Sequence, residues 1–137
     1  MYSLTVTDHI MIAHGFTGEE FGPARRLHGV TYVIEVEFRA PKLDHHQLLI
    51  DMSFAKRALR VLLDTIDYSN LDENPLFAGI NTTTEYLAFW LHGRLAAACR
   101  DGTLGAGGGG VTSLKILLRE APNAWAAFEG PLDEPES

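Results

Sequence analysis

The 137-residue chain contains a single cysteine, Cys99, which excludes an internal disulfide and is typical of a reducing compartment. Basic residues are also few, since 11 lysines and arginines stand against 18 acidic residues. Without a basic stripe to follow phosphates, we expect no nucleic-acid partner. No apolar run approaches the roughly 20 residues of a membrane helix, and the N-terminus shows no secretory signal pattern. These absences predict a cytoplasmic protein without membrane contact.

The remaining composition is that of a globular chain, with 46% hydrophobic and 21% charged residues. This length is enough for one hydrophobic core and too short for two. We therefore predict a single domain over residues 1–130. An acidic tail over residues 131–137 is predicted to be flexible.

Alternating hydrophobic and polar residues predict strands at both ends of the chain. They occur at residues 2–16, 30–38, 111–119 and 125–129. Between them, apolar residues at helical spacing predict two helices. The order ββααββ favours an α+β fold, in which an antiparallel sheet carries both helices on one face.

Capping residues and apolar stripes give the helices their expected limits. The first helix begins after a cap at Asp51 or Ser53 and runs to about Ile66. Its predicted apolar stripe is Phe54, Ala58, Leu62 and Ile66, with Leu59 and Leu63 beside it. The second helix begins with a capping box, Thr82-x-x-Glu85, and runs to about Arg100.

A glycine-rich segment, residues 102–110, separates the helices from the last two strands and contains six glycines in nine residues. Such a segment can cradle a phosphate group. Here it lacks a following Lys-Ser/Thr and precedes a strand rather than a helix. We interpret it as a linker.

Two histidines lie where the first two predicted strands meet the loop between them. Antiparallel strands joined by that loop would bring His14 and His28 close together. Two histidines on neighbouring strands are a plausible start to a zinc site, but zinc usually takes three or four ligands. His9, His45, His46, Glu19 and Glu20 are the candidates for a further ligand.

Six short motifs occur in the order and spacing of one enzyme family. They are Ala13-His14, His28-Gly29-Val30-Thr31-Tyr32, Ile50 to Lys56, Asp67 to Leu71, Thr82-Thr83-Thr84-Glu85, and Leu118-Arg119-Glu120. On these motifs the chain is identified as a member of the 6-pyruvoyltetrahydropterin synthase and 6-carboxytetrahydropterin synthase family, across residues 4–130. The resemblance implies a T-fold, with a four-stranded antiparallel sheet and two helices packed on one face. It also implies that strands pair between subunits into a trimeric barrel, and that two trimers form a hexamer.

The chain departs from the family pattern at its catalytic positions. The resemblance implies three zinc histidines, and this chain has His14 and His28 but Val30 at the third position. Gly22 occupies the position of the family's cysteine. Tyr68 replaces the histidine that follows the catalytic aspartate, which corresponds to Asp67. We therefore expect no zinc unless a substitute ligand exists.

The family's pterin-binding positions are retained. The resemblance implies that Glu120 anchors the pterin and that Thr83, Thr84 and Glu85 line its pocket, although Glu85 also has the capping role. The predicted function is binding of a pterin-like ligand through Glu120, without zinc and without the usual synthase activity. The alternative is an active zinc-dependent lyase on 7,8-dihydroneopterin triphosphate with substituted catalytic residues. The physiological ligand and its pathway, whether queuosine, biopterin or folate, stay open.

Overall fold

The computed structural model describes residues 1–102 and 110–133 of the chain. It contains five strands: β1 (Tyr2–His14), β2 (His28–Ala40), β3 (Ser69–Asn70), β4 (Ser113–Ala121) and β5 (Ala124–Pro131). Two α-helices, α1 (Met52–Asp64) and α2 (Thr84–Arg100), lie between β2 and β4 in the sequence. Short 3-10 segments are found at Glu19–Arg25, Leu71–Glu73 and Pro75–Phe77.

The four long strands form an antiparallel sheet in the order β1-β2-β4-β5, which confirms the predicted α+β architecture. The prediction missed β3, which pairs in parallel with Ile12 and Ala13 at the outer edge of β1. Two residues are too few to give a periodic signal. The sheet therefore has five strands rather than the four predicted.

The core lies on one face of the sheet, under both helices. The residues of β2 that face it, Tyr32, Ile34, Val36 and Phe38, are fully buried. Helix α1 packs on β1, whereas α2 packs on β4 and β5. The buried side chains of α1 are Ala55, Leu59 and Leu63. Of the predicted stripe, Leu59, Leu63 and Ile66 are buried and Ala58 and Leu62 are partly buried against the core, whereas Phe54 is 39% exposed.

Side-chain caps determine where both helices begin. The Asp51 carboxylate accepts from the amides of Ser53 and Phe54, at 2.8 and 3.2 Å, which decides between the two predicted caps. In α2, Thr83 is the N-cap and its hydroxyl accepts from the Tyr86 amide at 3.1 Å. The predicted Thr82-x-x-Glu85 capping box is therefore wrong.

The two segments predicted to be irregular lie largely outside the described residues, which omit 103–109 and 134–137. Strand β5 ends at Pro131, and the amide of Leu132 donates to the Thr112 carbonyl at 3.3 Å. The first residues of the predicted tail therefore contact the sheet. Within the described part of the chain, neither helix combines the length and the hydropathy of a membrane span.

Candidate functional site

Strands β1 and β2 bring His14 and His28 directly opposite each other, as their spacing predicted. The two imidazole centroids are 4.7 Å apart. His14 is only 1% exposed, and its Nδ1 lies 3.1 Å from Thr82 Oγ1. Its Nε2 is buried and has no hydrogen-bond partner in the described structure. A buried polar atom without a partner is costly, so this nitrogen is suited to contact a ligand.

The second imidazole has a defined tautomer. Nδ1 of His28 lies 2.8 Å from the Arg26 carbonyl oxygen, which can only accept, so Nδ1 carries a proton. In the neutral ring, Nε2 is then an acceptor. Burial lowers the pKa of His14, and the adjacent His28 lowers it further. His14 is therefore neutral at physiological pH.

An aromatic side chain covers the histidine pair. The ring centroid of Phe16 is 4.6 Å from that of His14 and 5.8 Å from that of His28. Phe21 packs on Phe16 at 4.8 Å. Val30 lies on the same face of β2 as His28 and is partly buried against the hydrophobic core. The imidazoles therefore have aromatic neighbours on one side, whereas the Thr82 hydroxyl contacts His14 and the nearby Asp72 carboxylate opposes the lowering of its pKa.

The residues present do not fit a zinc ion bound by three side chains. Among residues 1–102 and 110–133, no His, Cys, Asp or Glu joins the histidine pair to form a group of three. His9 lies an odd number of residues from His14 on β1, and so points to the opposite face of the sheet. His45 and His46 stack on each other, with centroids 3.9 Å apart, in the connection before α1.

At the family's cysteine and histidine positions this chain has neither a thiol nor an imidazole. Gly22 adopts φ 55° and ψ −125°, a conformation that favours glycine. Tyr68 is 80% exposed and has φ 55°. Cys99 is buried in α2, and burial raises the pKa of its thiol to about 12, which favours the protonated form over the nucleophilic thiolate.

Asp67 belongs to an ion-pair network between α1 and β1. Its carboxylate accepts from the Met11 amide at 2.9 Å and from the Arg60 guanidinium at 2.7 Å. Arg60 also contacts the carboxylates of Asp8 and Asp64, at 3.1 and 2.9 Å. Both oxygens of Asp67 are thus already engaged in holding the β1 edge to α1.

The retained pterin positions meet at the start of α2. Glu120 is exposed near the end of β4, where the β4–β5 register shifts. Thr84 Oγ1 lies 3.5 Å from Glu120 Oε2 and 3.0 Å from the Tyr32 hydroxyl. Glu85 is exposed in the first helical turn, and Thr83 forms the cap. The structure therefore places Thr84 beside Glu120, with Thr83 and Glu85 adjacent in the chain.

The histidine pair and the Glu120 cluster face the same side of the sheet. His28 and Tyr32 lie on one face of β2, four residues apart, which corresponds to about 13 Å along the strand. At the start of α2, Thr82 contacts His14 and Thr84 contacts Glu120. The sequence indicated Tyr32 and Thr82 only as parts of motifs, so their hydrogen bonds to site residues were missed.

Comparison with known proteins gives a consistent family. The sequence model of 6-pyruvoyl tetrahydropterin synthase matches residues 3–131. The structure of the Caenorhabditis elegans 6-pyruvoyl tetrahydropterin synthase superposes with a TM-score of 0.77 at 21% identity, covering 94% of this chain and 95% of that one. The Plasmodium vivax synthase gives 0.77 at 15% identity, over 95% and 98% of the two chains. A P. vivax variant with a catalytic glutamate replaced by alanine gives 0.76 at 16% identity, with the same coverage. No curated protein sequence matches the chain.

Proposed function

Because the chain belongs to the 6-pyruvoyl tetrahydropterin synthase family, we propose that it binds a pterin-like ligand through Glu120 and does not carry out the zinc-dependent synthase reaction. The observation that supports this most directly is the contrast within one site. The carboxylate at the pterin-anchor position is accessible and has a hydroxyl beside it. The histidine pair has no third ligand among the described residues.

Glu120 offers the geometry that a 2-amino-4-oxo heterocycle requires. An ionised carboxylate has two oxygens and can accept in parallel from the 2-amino group and the adjacent ring N–H. Thr83, Thr84 and Glu85 are proposed to contact the rest of the ring. Nε2 of His14, which is buried and unpartnered, is proposed to contact the substituent on the ring. These residues bind and orient the ligand, and none of them requires a metal ion to do so.

A fluorescence titration with 7,8-dihydroneopterin tests the anchor. We expect Glu120→Gln to weaken binding by tenfold or more, because the amide presents an N–H where the ligand needs a second acceptor. Glu73→Gln makes the same charge change at an exposed position in a 3-10 segment and is the control. Equal affinities of the Glu120→Gln variant and the unmodified protein would refute the proposal.

The alternative is an active zinc-dependent lyase on 7,8-dihydroneopterin triphosphate, a carbon–oxygen lyase that eliminates phosphate groups. The unpartnered His14 Nε2 favours it, since a metal-binding imidazole needs a free nitrogen. The P. vivax synthase has a catalytic glutamate, so a carboxylate can act as a catalytic residue in a relative of this chain. Glu19 and Glu20, in the 3-10 segment after β1, are the candidate carboxylates for a substitute third ligand. Release of triphosphate in the presence of zinc would establish this function and exclude the first.

We also propose that the protein is a cytoplasmic homo-oligomer, a hexamer formed as a dimer of trimers. Within the described residues, β5 pairs only with β4, and the first half of β1 pairs only with β2. Unpaired strand edges of this kind readily pair with another chain. Light scattering after size exclusion would test the assembly, and a monomer of 15.1 kDa would contradict it.

A further inference from the structure

The Tyr32 side chain lies beneath the Glu120 cluster and is fully buried. Its position on the helix-facing side of β2 brings its hydroxyl to the start of α2. There it lies 3.0 Å from Thr84 Oγ1. A buried phenol that has a hydrogen-bond partner is held in one orientation. Tyr32 therefore provides a fixed point from which the surface residues above it can be positioned.

The hydroxyl of Thr84 lies between Tyr32 and Glu120 and has only one proton. An ionised carboxylate can only accept, so Thr84 donates its proton to Glu120 Oε2 at 3.5 Å. Thr84 Oγ1 must then accept from the Tyr32 hydroxyl. Only one direction of hydrogen bonding satisfies both contacts. Tyr32 donates to Thr84, and Thr84 donates to Glu120.

The protonation of Tyr32 agrees with this direction. Burial raises the pKa of the Tyr32 phenol to about 12, with Glu120 and Glu85 adding to the rise and the Thr84 hydrogen bond opposing it. The phenol is therefore protonated at neutral pH and available as a donor. The nearby carboxylates also favour a neutral phenol over a phenolate.

We propose that Tyr32 is a positioning residue that, through Thr84, holds the Glu120 carboxylate in the orientation that selects a ligand with adjacent N–H donors. This inference rests on the proposed pterin-binding function. Glu120 is exposed and next to a register shift, so its backbone alone leaves several rotamers open. Fixing one rotamer before the ligand arrives removes part of the entropic cost of binding.

The preference for pterin over lumazine should therefore depend on Tyr32. Pterin has an amino group at C2, whereas lumazine has a carbonyl oxygen there. A carboxylate held in place favours the amino group and faces lumazine with a second acceptor. If Glu120 turns freely, it can move away from the lumazine oxygen, and the pterin contact is lost for part of the time. The ratio of the two affinities therefore reports on orientation rather than on stability.

The experiment measures dissociation constants for pterin and for lumazine with the unmodified protein and four variants: Tyr32→Phe, Thr84→Val, Thr84→Ser and Tyr32→Phe/Thr84→Val. We expect Tyr32→Phe to weaken pterin binding about threefold to tenfold, the usual range for one hydrogen bond, and to leave lumazine binding equal or tighter. Thr84→Val should weaken pterin binding by at least the same factor. The double variant should resemble Thr84→Val, because both residues act along one chain of hydrogen bonds. Thr84→Ser keeps the hydroxyl and should retain the original ratio.

Glu120→Gln in the same assay distinguishes failure of the positioning role of Tyr32 from failure of the proposed pterin-binding function. If Glu120→Gln abolishes pterin binding while Tyr32→Phe leaves the pterin-to-lumazine ratio unchanged, the positioning role is wrong and the proposed function stands. If Glu120→Gln changes nothing, the proposed function itself fails. Circular dichroism checks that each variant is folded. Should Tyr32→Phe not fold, an unchanged ratio in folded Thr84→Val overturns the inference, and a reduced ratio supports it.

Discussion

The two ends of the candidate site differ in what they offer a ligand. At the histidine end, Phe16 packs on both rings, His14 is buried, and its Nε2 has no hydrogen-bond partner among the described residues. At the Glu120 end, the carboxylate is exposed and has the Thr84 hydroxyl beside it. Because zinc depends on a complete set of ligands, Val30 at the position of the third histidine is the reason why we propose that this end holds no zinc. An anchor made by one carboxylate has no such requirement.

This comparison explains how one end can change independently of the other. Zinc would have to assemble His14 and His28 with a third group, whereas the proposed pterin anchor consists of Glu120 on β4 beside the start of α2. Asp67 shows the same independence, because the ion pair with Arg60 gives it a structural role without any histidine beside it. Among the described residues the framework of the site is thus present, whereas no third His, Cys, Asp or Glu joins His14 and His28.

Restoring a third histidine would test the comparison most strongly. Val30 lies two residues after His28 on the same face of β2 and is diagonal to His14. We expect Val30→His to raise zinc content from near zero to about one ion per subunit, since zinc sites with three histidines are stable. Metal analysis of protein purified without chelators or an affinity-metal column gives the measurement.

The matched control adds a histidine elsewhere. Val61 is 69% exposed on α1, so Val61→His changes the composition in the same way without approaching the histidine pair. The interpretation fails if the unmodified protein already carries stoichiometric zinc, or if both variants bind equal amounts of it.

The Asp67 network gives the next largest expected effect, on stability. Asp67→Ala leaves the Met11 amide without its acceptor and removes one carboxylate from Arg60. The Asp67 side chain is only 12% exposed, so we expect a loss of about 1–3 kcal/mol in the free energy of unfolding. Denaturant titration measures it, with Asp64→Ala as the control because that carboxylate is 66% exposed. Equal losses in the two variants would indicate that Asp67 has no special structural role.

The sequence predicted the architecture better than the contacts within the site. The long strands and the meeting of His14 with His28 followed from alternation and order. Three consecutive threonines, Thr82, Thr83 and Thr84, are all suitable N-caps, so the sequence could not decide which one caps α2. In the structure, the Thr82 side chain contacts His14, and Thr83 caps the helix. The resemblance pointed to Glu120, whereas Tyr32 in a strand looks like an ordinary core residue until its hydroxyl is placed.

The smallest expected effect concerns pH and the histidine end. The pKa of folded His14 is below the unfolded value of 6.5, mainly because the ring is buried. Below pH 6.5 the unfolded chain therefore binds more protons at this residue than the folded protein does. This residue then lowers the free energy of unfolding as the pH falls from 6.5 toward the folded pKa, by at most about 1.4 kcal/mol per pH unit.

His14→Gln keeps a polar side chain and removes this titration, so its stability should fall less steeply with acid than that of the unmodified protein. Denaturant titrations at several pH values between 7 and 5 compare the two slopes. His45→Gln is the control, because His45 lies in an exposed loop. Parallel slopes for the His14→Gln variant and the unmodified protein would mean that His14 is not held neutral. Burial of His14 would then not distinguish the histidine end from the exposed Glu120 end in its protonation.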